Sequence, residues 1–89
     1  MNLTHHAAAR IQQRGIPYAA VDAILAYGCR RRHDGADVYF LDKKARARMA
    51  QAMGKKSYSK LERSLNSYLV VADDGAVITA AHRLGRLKF

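Results

Sequence analysis

Three residues at intervals of four, His6, Arg10 and Arg14, fall along one side of any helix built from THHAAARIQQRG, next to the face that carries Ile11. A phosphate laid along that row meets an imidazole and two guanidiniums. His6 stands in the first turn, where the helix dipole favours the neutral ring that a general base needs near pH 7. A solvated polar face explains the same row, because like charges at this spacing cost only about 0.2 to 0.5 kcal/mol. At the other end of the chain, His82 and Arg83 close the last strand-like run; Arg86 and Lys88 follow, and no carboxylate side chain occurs after Asp74. An acid/base beside a guanidinium clamp suits the charge that develops on a phosphate in transfer; a tail that binds by charge alone uses the same residues. Lys55, Lys56 and Tyr58 read as a loop in which two ammoniums touch a nucleic-acid backbone and the ring stacks on an unpaired base. A partly packed surface tyrosine is the plainer account of Tyr58.

Other chemistries find no support. Cys29 is the single cysteine, so no intrachain disulfide forms and a secreted disulfide scaffold is excluded. His5, His6, His33, His82 and Cys29 show no metal-ligand spacing, and adjacent His5 and His6 point in different directions on a helix. No glycine-rich phosphate loop or nucleophile elbow occurs, so the expectation is metal-free and cofactor-free.

Sixteen Lys and Arg against seven Asp and Glu give a net charge of +9, and 49% of the 89 residues are hydrophobic. That combination predicts one folded domain, residues 1–89, whose basic surface serves a polyanion, an acidic protein or solubility alone. No stretch approaches the roughly 20 apolar residues of a spanning helix, and the first residues lack a signal-peptide pattern. The expectation is a cytoplasmic protein with no membrane partner.

The residues that could do this chemistry need positioning. Thr4 reads as the N-cap of a first helix that ends at Gly15 and buries Ala7, Ala8 and Ile11. Pro17 opens a second, with Val21, Ile24 and Leu25 inward and Gly28 as a left-handed stop, so that the two helices form a hairpin. From CRRRH the period changes to two, and Asp34-Gly35 predicts a two-residue hairpin with ADVYFL that sets Arg32 opposite Asp37. The same register puts Arg31 on the face of Val38 and Phe40, a conflict that calls for a bulge or a different pairing. Asp42 caps a third, strongly basic helix through Ala45, Met49, Ala52 and Met53, closed by Gly54; it carries Arg46, a further candidate nucleic-acid contact. Ser59-x-x-Glu62 matches a capping box for a short helix. SYLVVA and AVITAAH, joined at Asp73-Asp74-Gly75, form a second hairpin, apolar on both faces and therefore placed mid-sheet. The fold class is α+β: two N-terminal helices on a four-stranded antiparallel sheet, with the third helix inserted between the hairpins.

The opening THHAAARIQQRGIPYAAVDAIL resembles a small bacterial family, domain of unknown function 4258, through His6, Ala7, Arg10, Arg14, Gly15 and Ile16, with Pro17 where that family often has a capping serine. The closing VITAAHRLGR resembles its last strand. The order of elements is similar to the RelE-like toxins and to the barnase, colicin and RelE group of metal-free ribonucleases. The resemblance implies a toxin-type endoribonuclease acting on free or ribosome-bound RNA. His6 or His82 would take the ribose 2′-hydroxyl proton, Arg10, Arg14 and Arg83 would hold the phosphate, and Arg46, Lys55, Lys56, Tyr58 and Arg86 would contact RNA. The alternative expectations are a non-catalytic RNA-binding module and a basic partner of an acidic antitoxin-like protein.

Overall fold

A computed structural model describes residues 2–83. Helix α1 (His5–Gln13) and helix α2 (Tyr18–Tyr27) precede a hairpin of β1 (Cys29–His33) and β2 (Ala36–Phe40). Helices α3 (Lys43–Met53) and α4 (Lys55–Leu61) and a 3₁₀ turn over Glu62–Ser64 lead to β3 (Ser67–Val71) and β4 (Val77–His82). The strands form one antiparallel sheet in the order β1-β2-β3-β4. The α+β class is therefore present; the short helix expected to start at Ser59 starts at Lys55 instead, so α4 follows α3 at once.

Helix α1 starts where Thr4 Oγ1 accepts the Ala7 N–H at 3.1 Å. The residues before it join the sheet: Leu3 bridges Val77 in parallel, and the Thr4 N–H donates to the Val77 carbonyl at 3.0 Å. Gly15, at φ 62, turns the chain out of the helix. Helix α1 lies against β4, while α2 packs on α3 and on β2 and β3, so each helix answers mainly to other elements rather than to its neighbour in a hairpin. Buried Ala7 and Ile11 from α1, Val21 and Ile24 from α2, Ala45 and Met49 from α3, and Leu69, Val71, Val77 and Ala80 from the sheet share one core. Ala52, expected on the inner face of α3, is exposed.

Three local expectations change. Gly28 is extended, at φ −72 and ψ 161, and not left-handed. Crowding demands it instead: a Cβ there would lie 2.3 Å from the Ile24 carbonyl oxygen and 2.9 Å from that of Phe40. Ser59 caps nothing; it sits inside α4 with its hydroxyl donating back to the Lys55 carbonyl at 2.9 Å. Strand β4 is an edge strand, and its apolar pattern reflects the cover that α1 and Leu3 give it.

The first hairpin has the expected register, with Arg32 opposite Asp37 and Arg31 opposite Val38, and no bulge. The conflict dissolves because β1 is the other edge strand: Val38 has Val70 of β3 on its inner side and does not need an apolar partner on β1.

Two substitutions test these assignments. Gly28→Ala should cost about 3 kcal/mol, since the new methyl meets two backbone oxygens, and should lower Tm by roughly 10 to 20 °C in a thermal melt. Asp42 accepts the Ala45 N–H at 2.7 Å, a bond that holds its carboxyl below the usual range, with the Cys29 thiol adding to the effect. Asp42→Ala should cost about 1 kcal/mol at neutral pH. A lowered carboxylate pKa stabilises above the unfolded value and loses its effect as pH falls through the folded one, so the gap between wild type and variant in urea titrations should close below about pH 4.

Candidate nucleic-acid interface

The antiparallel meander brings the start of β1, the end of β2, the start of β3 and the end of β4 to one end of the sheet. His82 stands there with both ring nitrogens engaged. Nε2 lies 3.1 Å from the Arg14 carbonyl oxygen at the end of α1, and Nδ1 lies 3.2 Å from the hydroxyl of fully buried Ser67. A carbonyl only accepts, so Nε2 carries the proton and, in the neutral ring, Nδ1 accepts from Ser67. Arg83 is built in as firmly: its N–H donates to the Asn66 carbonyl at 2.6 Å, its Nη1 to the Leu41 carbonyl at 3.2 Å, and its guanidinium lies 5.9 Å from the centre of the Phe40 ring. Arg46 reaches from α3, donating through Nη2 to the Leu65 carbonyl at 3.0 Å and the Asn66 side-chain oxygen at 2.7 Å.

Of the residues expected to act on a phosphate, the structure therefore gathers His82, Arg83, Arg46 and the backbone of Arg14. His6 is not among them. It lies at the opposite end of α1, eight residues from Arg14, which is about 12 Å along the helix axis. His6 and His82 do not flank one phosphate. Lys55 and Lys56 open α4 rather than a loop, separated from the cluster by the length of α3, about 16 Å. Tyr58 is half-buried and packs on the core. Arg10 is half-buried within α1, and Arg86 lies outside the described residues.

Phe40 and Tyr68 join the site unannounced by the sequence. They pair directly across β2 and β3, on the face opposite Leu69. Tyr68 carried a signal in its parity, since it alternates with buried Ser67, Leu69 and Val71, whereas Phe40 shares the phase of buried Val38 and carried none. Asn66 and Ser67 gave none, since their roles arise from partners many residues away.

Charge divides between the two ends. Asp34, Asp37, Asp73 and Asp74 lie in or beside the two hairpin turns, opposite the cluster. Arg32 is held among them, bonded to both Asp37 and Asp73, and its guanidinium keeps the Asp73 carboxyl below the usual range. His33 Nε2 lies 3.2 Å from Asp34. At the cluster end the carboxylate of Asp42 is committed to capping α3 and to the Cys29 thiol 3.2 Å away, with Lys44 and Arg48 near it. Burial and that carboxylate push the Cys29 thiol up, so it remains a protonated donor.

Among the described residues no three His, Cys, Asp or Glu side chains come together as a metal site, and no helix is long and apolar enough to cross a membrane. Comparison with known protein families, curated proteins and solved structures finds no match for the chain.

Removing His82 leaves the buried Ser67 hydroxyl without this partner. His82→Ala should cost about 1 to 3 kcal/mol in urea unfolding. The Ser67→Ala/His82→Ala double variant should be more stable than His82→Ala alone, because the orphaned hydroxyl is gone.

Proposed function

We propose that this chain is a cytoplasmic RNA-binding module that docks single-stranded RNA on the basic end of its sheet. The observation that carries the reading is the segregation of charge: with +9 overall and four of seven carboxylates gathered at the turns, the opposite end presents Arg14, Arg46, Arg48 and Arg83 to a phosphate backbone. The Phe40–Tyr68 pair lies at that end; with the Arg83 guanidinium over Phe40, Tyr68 is the ring on which an unpaired base would stack. The order of helices and strands supports a RelE-like arrangement, and the opening motif supports kinship with domain of unknown function 4258. An acidic antitoxin-like protein would compete with RNA for the same basic end.

Metal-free cleavage is the second reading, favoured by the position of an imidazole beside Arg83 and Arg14. His82 would have to release the Ser67 hydroxyl from Nδ1, its one unprotonated nitrogen, before taking a 2′-hydroxyl proton there. The 2′-oxygen would then attack phosphorus and expel the 5′-oxygen, which a second acid would protonate. His6 is too far along α1 to be that acid. Both ring nitrogens of His82 are spent on the fold, and this is why binding without cleavage is the leading reading.

The test is anisotropy of a labelled single-stranded RNA over a salt series, with bulk RNA incubated in chelator beside it. We expect binding that weakens steeply with salt, and an Arg14→Ala/Arg48→Ala variant whose slope of log K against log salt is shallower by about 1.4. Bulk RNA should stay intact. Ends bearing cyclic phosphate, absent with folded His82→Ala, would promote the second reading; no binding at low salt would remove both.

A further inference from the structure

We infer that the groove between the end of α1 and the start of α2 is a subsite for one unpaired nucleobase, an inference that rests on the RNA-binding reading and extends it. The groove has a volume of about 320 Å³ and is lined by Ile11, Gln12, Gly15, Ile16, Pro17 and Tyr18. Ile11 and Ile16 are 2% and 4% exposed and make an apolar floor. Tyr18 is 55% exposed, the one large hydrophobic side chain so placed among the described residues. Gly15 adds open room, since a Cβ there would meet no atom within 4 Å.

The surroundings select the occupant. Arg14, next to Gly15, has an exposed side chain and a carbonyl bonded to His82, so the groove opens beside the basic end of the sheet. A base seated against Tyr18 leaves its flanking phosphates toward Arg14, while the exposed amide of Gln12 offers both a donor and an acceptor to the base edge. Asp22, one turn along α2 from Tyr18, is exposed and repels phosphate, so the strand must enter from the α1 side. A protein partner or second copy fits poorly: one exposed ring beside a groove of this size falls far short of the roughly 800 Å² per side that a stable protein interface buries.

The experiment measures binding of a labelled oligoadenylate by wild type, Tyr18→Ala and Tyr18→Phe over a salt series, with thermal melts to confirm folding, and titrates adenosine monophosphate into ¹⁵N-labelled protein. Tyr18→Ala should bind about tenfold more weakly with an unchanged salt slope, because stacking releases no counterions. Tyr18→Phe should stay within about twofold, and the nucleotide should shift the amides of Gln12, Gly15 and Tyr18. Wild-type affinity in folded Tyr18→Ala overturns the subsite and leaves RNA binding standing. A parallel fall in salt slope overturns it too, as does self-association that Tyr18→Ala abolishes. Failure of the wild type to bind any RNA would instead defeat the underlying reading.

Discussion

Helix α1 is fastened to β4 at both ends, and the match of two lengths makes this possible. From Thr4 to Arg14 a helix rises about 15 Å, and from Val77 to His82 a strand extends about 16 Å. One end is closed by the Thr4 and Asn2 backbone on Val77, the other by His82 on the Arg14 carbonyl. Between them Ala7 and Ile11 are pressed onto Val77 and Ala80 in the core. The closure also supplies a donor to a helix C-terminus, where carbonyls otherwise lack partners. An imidazole suits it because one nitrogen can donate to the carbonyl while the other accepts from Ser67. The position of Gly15, and with it the groove and Tyr18, follows from where that closure ends α1.

The electrostatic polarity of the sheet has a conformational origin. Tight turns between antiparallel strands need residues that tolerate positive φ or bond to their own backbone, which selects Asp and Gly. Asp34 adopts φ 49, Gly35 and Gly75 adopt φ 80 and 89, and the Asp74 carboxylate accepts the Ala76 N–H at 3.0 Å. In a meander both hairpin turns fall at the same end. Carboxylates chosen for turn geometry are therefore concentrated there, and the opposite end is basic largely because no hairpin turn lies there.

Legibility in the sequence followed the range of the interactions. The first hairpin was readable to the residue, since a two-residue turn fixes register and Asp34-Gly35 declares itself locally. The Thr4 and Asp42 caps were readable for the same reason. Gly54 is the helix stop that its type signals, but at φ 87 its carbonyl also accepts the Tyr58 N–H and begins α4 at once. Lys55 and Lys56 were thereby lost to a helix. Arg83 and His82 stand out by type alone, yet their partners Leu41 and Arg14 lie 42 and 68 positions away. Separations of that kind carry no local signal, and they separate a histidine poised for chemistry from one that holds a helix.

Structural duty does not remove a guanidinium from binding. Arg46 spends Nη2 on Leu65 and Asn66, and a planar group with five donors keeps its remaining N–H groups in a fixed orientation. Holding such a side chain in advance lowers the entropy lost when an anion arrives, which for a flexible lysine is a substantial part of the cost. Imidazole has only two nitrogens, and at His82 both are taken. Under the RNA-binding proposal, this hydrogen-bonded end of the sheet would hold a phosphate more readily than transfer a proton.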